Sequence, residues 1–566
     1  MVKDTQRSIL REVLTFPDEP SPFKLLILDS HGYSLVSTLF KQSCLYEMGF
    51  TLFLDLTQKR QPIPSVPAVY LLLPTAENIQ RISQDFKNNL YESVYFVFTS
   101  PTTSTFLEQL ASAIPYPSKV LAVRDCYLHY LAIQPSFFTL LFPNAFQKLN
   151  AITDKNSPEI NTISSSLLHL CHSLNQTPII RTISGSVSFD IATQLDSLLR
   201  EHSSSRTSLS RPLMVLVDRA ADPLTPLLHS WVYHALIMEL VDNGVVKMHE
   251  VNKVEYTSSQ NQSKMIVLDD SDPLFNSNSH KELPEVTDAV EHALNDYQLQ
   301  SKRHEQEEEG KLAELSKVVG KLGELTRVKD SIDAHTTLGH CILKELQDRN
   351  LDVFIEVEKE LIALKGAHIS RGLREKVKNL LMSSHESTEV FGNKSDRIRL
   401  FIIYYFVANV SHDEVTEIQN NLDCNPKLVE FIKDLKSFMS SDSPPSTPSS
   451  ASLLNLAQKG LKMMSSMAVA NIPGLDRFRQ LPIVQIFNSF LSPVPDHSMV
   501  QFDPKLPPNA PPRSRTFDEV ILVIVGGCSV LEYHALLEFC KSKRMKGTIG
   551  TTDLITPVQL IDSFSK

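Results

Sequence analysis

Residues 211–226 constrain the fold of this chain most strongly. They join an uninterrupted apolar run, 213–217, to a charged tip formed by Asp218, Arg219 and Asp222 and then to a turn with two prolines. An apolar run without polar alternation is typical of a parallel strand that is buried on both faces. The chain therefore contains α/β units, whose ligands usually bind beyond the carboxyl ends of such strands.

The turn after this strand does not suit a nucleotide. It contains two aspartates and no glycine, so no backbone amide can approach a pyrophosphate closely and the carboxylates would repel one. We predict that Asp218 and Arg219 instead tie the strand end to the neighbouring domain through charge-assisted hydrogen bonds. A catalytic role for this pair is the alternative.

The first 148 residues predict one α/β domain. Short apolar runs alternate there with helical patterns, which implies a parallel sheet that is covered on both faces. The predicted strands are 24–29, 51–55, 68–73 and 94–98, and the predicted helices are 35–48, 77–86 and 105–113.

A second α/β domain is predicted from two separated parts, 149–245 and 471–566. Its strands are expected at 177–181, 213–217, 519–525 and 547–551, with helices at 190–202, 231–241 and 557–564. Two strands alone cannot bury both faces of a sheet, so we infer that the two parts close into one sheet around an inserted middle.

The inserted middle, 246–470, is predicted to be a helical third domain. An apolar stripe from 312 to 346 predicts a long helix, and with an earlier helical stripe it forms a hairpin over about 284–348. The charge run 302–310 is expected at its solvated tip, and Gly320 and Gly323 are expected to act as a hinge. Further helices are predicted at 351–364, 396–408 and 413–438, and disorder at 440–452.

Composition narrows the possible functions. The net charge is -10 and the pI is near 6.0, which argues against nucleic acid as the main partner. Seven dispersed cysteines without a Cys-x-x-Cys motif favour a reducing compartment. No apolar run reaches the length of a membrane span, and the N-terminus resembles an amphipathic helix. We therefore expect a cytoplasmic protein without a transmembrane anchor.

No catalytic or cofactor-binding motif emerges from the sequence. It lacks the phosphate-binding loop, the dinucleotide fingerprint, the nucleophile elbow and the His-Glu-x-x-His zinc motif. Trp231 and His335 lie on apolar patterns and are expected in the core. We therefore predict a protein that is not an enzyme and has no cofactor and no metal site; an α/β hydrolase is the alternative.

Ten short motifs in sequence order resemble the Sec/Munc (SM) family of syntaxin-binding proteins, in its Sly branch, which serves traffic between the endoplasmic reticulum and the Golgi. The motifs occur at 48–53, 59–70, 74–78, 90–93, 177–181, 216–219, 268–273, 332–336, 399–405 and 526–533. The resemblance extends over nearly the whole chain. It implies a three-domain arch, with two parallel-sheet α/β domains and an inserted helical domain that bears a long hairpin.

The resemblance also implies a function in membrane fusion. Such a protein clasps an early-Golgi syntaxin (a Qa-SNARE) and other SNAREs, including an R-SNARE, and templates or protects SNARE assembly. Recruitment to ER and Golgi membranes would be peripheral, through these partners and through a tethering complex or Rab pathway. An SM protein of the endolysosomal tethering type is the alternative.

The resemblance places a pocket for the syntaxin N-terminal peptide in the first domain. Its predicted residues are Phe106, Leu107, Leu110, Ala111, Val120, Leu121 and Val123. Arg124 departs from the large apolar residue expected there. The hairpin tip is shorter than the insertion expected in the Sly branch.

Overall fold

A computed structural model describes most of the chain. The described residues are 2–16, 23–152, 157–202, 211–240, 246–250, 252–257, 262–308, 315–364, 368–382, 391–440, 478, 481–492, 499–507 and 515–565. The predicted disordered segment, 440–452, lies outside these residues except for its first position.

The strands and helices are numbered in chain order. The strands are β1 (Lys24–Leu28), β2 (Phe50–Asp55), β3 (Ala68–Leu72), β4 (Val94–Phe98), β5 (Val120–Asp125), β6 (Leu131–Gln134), β7 (Phe137–Thr139), β8 (Ile179–Ile183), β9 (Leu213–Asp218), β10 (Val246–Glu250), β11 (Lys253–Thr257), β12 (Ser263–Val267), β13 (Met499–Phe502), β14 (Glu519–Val525) and β15 (Lys546–Thr551). The helices are α1 (Val2–Val13), α2 (Ser30–Leu39), α3 (Gln42–Glu47), α4 (Ala76–Lys87), α5 (Ser104–Ala113), α6 (Ala145–Asn150), α7 (Pro158–Ser173), α8 (Val187–Glu201), α9 (Tyr233–Leu240), α10 (Pro273–Asn278), α11 (Leu283–Glu308), α12 (Leu315–Asp348), α13 (Leu351–Ala363), α14 (Arg371–Met382), α15 (Lys394–Val407), α16 (His412–Leu422), α17 (Pro426–Ser440), α18 (Pro482–Phe490), α19 (Val530–Ser542) and α20 (Pro557–Phe564).

The smaller of the two parallel sheets has the order β2-β1-β3-β4-β5. Every residue of β1, β3 and β4 is buried, because α1, α2 and α3 pack on one face and α4 and α5 on the other. The four strands predicted for the first domain are all present, and β5 is a fifth that the sequence pattern did not reveal. The predicted parallel sheet covered on both faces is confirmed.

The larger sheet has the order β13-β8-β9-β14-β15-β7-β6. Strands β9 and β14 lie side by side and parallel, although the insertion separates them along the chain. Their residues are apolar on both faces and almost completely buried, so each needs neighbours that only the distant segment supplies. The inference that the two parts close into one sheet is confirmed.

Two strands correct the predicted boundary at residue 148. Strands β6 and β7 fall within the range 1–148, but β7 pairs in parallel with β15 and both belong to the larger sheet. Their apolar side chains, such as Phe137 and Phe138, are buried against that sheet. The chain therefore crosses from the smaller to the larger sheet soon after β5. The sequence pattern did not predict this crossing, because strands of four and three residues are too short to produce a recognisable pattern.

The insertion, which we predicted to be helical throughout, begins with strands. Strands β10, β11 and β12 form an antiparallel three-stranded sheet. In β11, Val254 and Tyr256 are buried and alternate with polar residues, which is the two-residue period of a half-buried strand. The helix predicted over 413–438 is also divided, because Asp423 adopts a left-handed backbone with φ of 46° and Pro426 then starts α17.

Helices α11 and α12 form the long hairpin predicted for about 284–348. They pack against each other, and the connection between them, 309–314, lies outside the described residues. Most of the charge run 302–310 therefore belongs to the end of α11. No helix among the described residues has both the length and the apolar character that a bilayer span requires.

Candidate functional site

Strand β5 leaves apolar side chains on the surface of the smaller sheet. Among the strands that the structure describes, it pairs only with β4, and this pairing skips Leu121, so the ladder contains an irregularity there. Leu121 and Val123 are 54% and 44% exposed. An edge strand with exposed apolar side chains is a ready template for another chain.

Helix α5 covers the sheet next to this edge and has two distinct faces. Phe106 and Leu110 lie one turn apart and point inward, and the rings of Phe106 and Phe98 are 5.0 Å apart between centroids. Leu107 and Ala111, also one turn apart, lie on the outer side, where Leu107 is 39% exposed. The helix therefore fills the core with one stripe and offers another to solvent.

Helix α5 packs on one face of the sheet, and the residue two positions before it is hydrogen-bonded to the end of β5. Asp125, at the end of β5, accepts hydrogen bonds from the backbone nitrogen and the hydroxyl of Thr102, at 2.8 and 3.0 Å. Val123 lies opposite Phe96, whose side chain belongs to the core beneath α5. We group the exposed apolar side chains of these two elements as the α5–β5 surface: Leu107, Ala111, Leu121 and Val123.

The predicted peptide-pocket residues separate into two groups. Phe106 and Leu110 are only 8% and 3% exposed and pack in the core, and Val120 is half-buried against it. The other four form the α5–β5 surface. The sequence could not make this division, because both stripes of α5 carry apolar residues at helical spacing.

Arg124 faces the opposite side of the sheet from this surface. Its Nη1 donates to the carbonyl oxygens of Val13 and Thr15, at 3.1 and 2.8 Å, at the carboxyl end of α1. Its guanidinium lies 4.4 Å from the ring centroid of Phe16. Arg124 therefore closes the end of α1 and does not shape the α5–β5 surface.

A large cleft separates the smaller sheet's helices from the insertion. Its volume is about 1140 Å³, and its walls come from α2, α3, β2, the β11–β12 hairpin and both helices of the long hairpin. Apolar side chains are exposed on the facing walls: Tyr33 at 54%, Met265 at 52% and Val328 at 39%. Such a cleft suits the apolar face of a partner helix.

The base of the long hairpin is fixed by hydrogen bonds to one buried aspartate. Asp272 accepts a hydrogen bond from the hydroxyl of Ser331, at 2.8 Å, and lies 3.3 Å from Nε2 of His335. Nδ1 of His335 lies 2.8 Å from the hydroxyl of Tyr233. His335 is 2% exposed, which confirms the prediction of a core histidine. Burial alone would raise the pKa of Asp272, but the contacts with His335 lower it below its ordinary value.

A buried lysine links the N-terminal helix to the same region. Nζ of Lys3, whose side chain has no exposed surface, lies 2.9 Å from Asp269 and 2.6 Å from Asp270. A buried ammonium is tolerated only when carboxylates compensate its charge. Helix α1 therefore positions the loop that precedes α10 and holds the hairpin base.

The charged residues after β9 tie the end of this strand to other elements of its own domain, and not to the neighbouring domain as we predicted. Nη1 of Arg219 donates to Oε1 of Glu532 in α19, at 2.6 Å, and Nη2 donates to the carbonyl of Asp222. Asp218 accepts hydrogen bonds from the backbone and the hydroxyl of Ser188, and burial raises its pKa to about 6. Glu532 and Ser188 lie on helices α19 and α8 of the larger sheet's own domain. Arg219 is 1% exposed, which leaves no access for a substrate.

A second buried cluster joins the insertion to the larger sheet. Nδ1 of His229 lies 2.7 Å from Glu358 and its Nε2 lies 3.2 Å from Asp396. Burial and the nearby Arg399 act to lower the pKa of His229, but the two carboxylates outweigh them and the pKa is raised. His229 and Asp396 are 167 positions apart in the chain, so the sequence pattern could not predict this contact.

The same cluster contains the one group of potential metal ligands found among the described residues. His229, Glu239 and Asp396 place ligand atoms within 4.8 Å of one another. Arg399 already binds Glu239, and Arg349 binds Asp396 with Nε at 3.0 Å from Oδ2. Because these cations compensate the carboxylates, we assign the group to structural support.

Gly320 and Gly323, the predicted hinge, lie within a continuous helix. Helix α12 passes through both positions without interruption. Gly323 is exposed, and a Cβ atom at that position would meet nothing within 4 Å. A bend at these glycines therefore stays a prediction.

Comparison with known proteins adds relatives along the full length. The profile of the Sec1 family matches residues 24–563. Sec1 family domain-containing protein 1 of Mus musculus is 30% identical over 640 residues, covering 100% of this chain and 98% of that protein. Protein SLY1 of Saccharomyces cerevisiae is 26% identical, with coverage of 96% of this chain and 90% of that protein.

Solved structures of similar fold cover the whole chain. The crystal structure of Sly1p in complex with an N-terminal peptide of Sed5p matches with a TM-score of 0.78 and 23% identity, over 100% of this chain and 98% of that one. The SM protein Vps45 in complex with the Qa SNARE Tlg2 matches with a TM-score of 0.77 and 17% identity, over 100% and 97%. By the extent of these matches, the chain belongs to the Sec1 family.

Proposed function

We propose that this protein is a Sly-type SM protein that clasps a Qa-SNARE of the syntaxin class and templates or protects SNARE assembly for vesicle fusion in ER–Golgi transport. The observation that carries this proposal is the α5–β5 surface, a group of exposed apolar side chains beside the edge of the smaller sheet. Full-length relatives named for Sly1 support the choice of branch.

The α5–β5 surface receives the N-terminal peptide of an early-Golgi syntaxin. Leu121 and Val123 lie on an edge strand beside Leu107 and Ala111, so an extended or short helical peptide can bury apolar side chains against all four. The similar Sly1p structure contains an N-terminal peptide of Sed5p, which supports an N-terminal peptide as the ligand.

The large cleft and the α11–α12 hairpin hold SNARE helices, including that of an R-SNARE. Exposed Tyr33, Met265 and Val328 on facing walls supply apolar contacts, and Asp272 and His335 fix the hairpin base. A rigid base with a long projecting hairpin can keep two helices in register before they zip together. Binding, and not covalent chemistry or a cofactor, is then the whole activity.

Partners bring the protein to membranes. We infer a cytoplasmic protein that is recruited peripherally to ER and Golgi membranes by its syntaxin and by a tethering complex or Rab pathway.

The decisive experiment is titration of a fluorescent N-terminal peptide of an early-Golgi syntaxin. Leu107→Asp should weaken binding about 30-fold, because it puts a charge in the centre of the apolar surface. Leu52→Asp is a matched control: Leu52 is 40% exposed and Leu107 39%, but Leu52 lies on β2 at the other edge of the same sheet. It should leave the affinity unchanged.

Equal affinities of the Leu107→Asp and Leu52→Asp variants would remove the α5–β5 surface from the proposal. Peptides from endolysosomal syntaxins provide the second comparison. Tighter binding of such a peptide than of the early-Golgi one would favour the endolysosomal type of SM protein.

A further inference from the structure

A row of five histidine rings lies where the chain crosses from the smaller sheet to the larger one. In order, its members are His31 of α2, His129 of the crossing segment 126–130, His169 and His172 of α7, and His202 at the carboxyl end of α8. The ring centroids of His31 and His129 are 5.2 Å apart and those of His129 and His169 are 6.1 Å apart. We call this feature the histidine row. Because α2 packs on the smaller sheet and α7 and α8 pack on the larger one, the row spans the interface between the two α/β domains.

Tyr127 continues the row toward the surface. Its ring lies 5.5 Å from that of His169 and stacks on that of His172 at 4.5 Å, and the rings of His172 and His202 are 5.7 Å apart. His31 and His169 are buried, His129 and His172 are half-buried, and His202 is exposed. The row therefore runs from the interior of the domain interface to solvent.

The three inner histidines make few hydrogen bonds. Nε2 of His31 donates to the carbonyl oxygen of Leu128 at 3.2 Å, and Nδ1 of His129 lies 3.3 Å from the hydroxyl of Ser166. Nδ1 of His169 is buried and has no hydrogen-bond partner among the described residues. These contacts are satisfied by neutral rings and offer nothing to balance an added positive charge.

The surroundings of the row contain little negative charge. In the part of the chain that the structure describes, Asp29 is the one carboxylate whose charge acts on these histidines. Its oxygens are already engaged by the backbone nitrogens of Gly32 and Leu73, at 2.8 and 2.7 Å, and by Nδ2 of Asn78 at 2.9 Å. Asp29 therefore has little capacity to compensate a protonated ring.

The crossing segment itself adds no usable counter-charge. Asp125, which precedes it, is bound to Thr102 beside α5. Burial raises the pKa of Cys126 to about 12 and raises that of Tyr130 above its ordinary value, so both side chains stay neutral. The row thus differs from His229, whose two carboxylates favour the charged ring.

The closed interface therefore binds fewer protons than an open one. Burial lowers the pKa of His31 and His129 to about 4 and that of His169 to about 3, and neighbouring histidines lower the last two further. Rings that reach solvent regain a pKa of about 6.5. Acidification below about pH 6.5 consequently favours the open interface, and this effect continues until the pH reaches the lowered values.

We propose that the histidine row makes the interface between the two α/β domains a pH-sensitive switch, which stays closed while the rings are neutral and opens when they take up protons. Helix α2, which carries His31, also forms a wall of the large cleft, opposite the β11–β12 hairpin and the long hairpin. Opening of the interface would therefore move the walls of this cleft apart. The inference does not depend on what the cleft binds.

Amide hydrogen exchange of the full-length protein tests the switch. The backbone nitrogens of Cys126 and Leu128 each donate at 2.9 Å, to the carbonyls of Phe98 and Thr99, and so report on the crossing segment. Between pH 7.5 and 5.5 each inner histidine should raise the opening equilibrium constant about tenfold, which gives about 1000-fold for all three. After correction for the intrinsic exchange rates, these amides should lose protection to this extent, while those of β9 keep theirs.

Variants that cannot take up a proton locate the effect. His169→Phe keeps the ring contacts and should reduce the pH dependence to about 100-fold. The triple variant His31→Gln, His129→Phe and His169→Phe should abolish it, since glutamine still supplies a donor for Leu128. His412→Gln, at an exposed position at the start of α16, is the control and should behave as the parent does.

Three results would overturn the proposal. They are protection of Cys126 and Leu128 that does not change with pH, a pH dependence of the His169→Phe variant equal to that of the parent, and a parallel loss of protection in β9, which would indicate global unfolding. The single variant decides the question should the triple variant not fold.

Discussion

The two α/β sheets have the same architecture but are assembled in different ways. The smaller sheet comes from one stretch, 24–125, whereas the larger one combines strands from 131–139, 179–218, 499–502 and 519–551. The larger sheet has buried charge pairs between distant segments, such as Arg219 with Glu532, 313 positions apart. The smaller sheet leaves exposed apolar residues on its β5 edge. The buried pair Arg219–Glu532 thus joins distant segments of the larger sheet, whereas the exposed apolar residues of β5 lie where we expect a partner.

The largest effect should come from breaking the brace of the larger sheet. Arg219→Ala leaves Glu532 buried without its cation, and we expect a loss of about 4 kcal/mol in the free energy of unfolding, measured by urea titration. Arg81→Ala breaks the exposed pair with Glu77 in the smaller sheet's α4 and should cost less than about 0.5 kcal/mol. Adding Glu532→Gln to Arg219→Ala should recover part of the loss. Equal losses in the two single variants would contradict the comparison.

The His229 cluster should make the junction with the insertion sensitive to pH. His229→Ala leaves Glu358 and Asp396 without their histidine and should cost about 3 kcal/mol at pH 6. Because the pKa of His229 is raised in the folded protein, its contribution is complete below about pH 6.5, the unfolded value, and declines as the pH rises through the folded value. Unfolding of parent and variant should therefore be compared at several pH values from 6 to 9. A difference that grows with pH would show that His229 is neutral when folded.

The two stripes of α5 should separate stability from binding. Leu110→Ala should cost about 3 kcal/mol, because it opens a cavity in the core of the smaller sheet, whereas Leu107→Ala should cost less than about 1 kcal/mol. Syntaxin peptide affinity should respond in the opposite order, which a combination of urea titration and fluorescence anisotropy can measure. Similar stability losses would mean that the exposed stripe is part of the core.

The smallest effect should come from the glycines of the hairpin. Gly320→Ala with Gly323→Ala should stabilise α12 by about 1 kcal/mol for each substitution, since alanine restricts the unfolded backbone and fits the exposed position 323. Amide hydrogen exchange along α12 should slow by about fivefold for each 1 kcal/mol. If the hinge prediction is right, the rate of SNARE assembly should change as well; an unchanged rate would contradict a functional bend at these positions.

The sequence predicted those elements whose pattern is long or undivided. The buried strands of both sheets, the core position of His335 and the long hairpin all followed from apolar runs or helical spacing. The strands β6 and β7 did not, because four and three residues contain too little pattern; nor did the edge strand β5, which is only partly buried and ends in Arg124 and Asp125. The half-buried position of Trp231 also escaped prediction, since a helical stripe does not reveal whether a neighbouring element covers it.

For the candidate site, the sequence supplied the segments but not their exposure. It located Leu107, Leu110 and Val123 by resemblance, and only the structure showed that Leu110 points into the core while the other two face solvent. The position of Arg124 was identified as unusual, but its bonds to the end of α1 depend on a helix more than 100 residues earlier.

The amino-acid sequence by itself determined the α/β class, the inserted helical region and the absence of a phosphate-binding turn, because these depend on local periodicity and on residue type. The tertiary structure alone decided which strands share a sheet, which stripe of α5 remains exposed and which charges pair. Those properties arise from contacts between residues far apart in the chain, where burial changes the energy of a charge or an apolar side chain only once the partner is in place.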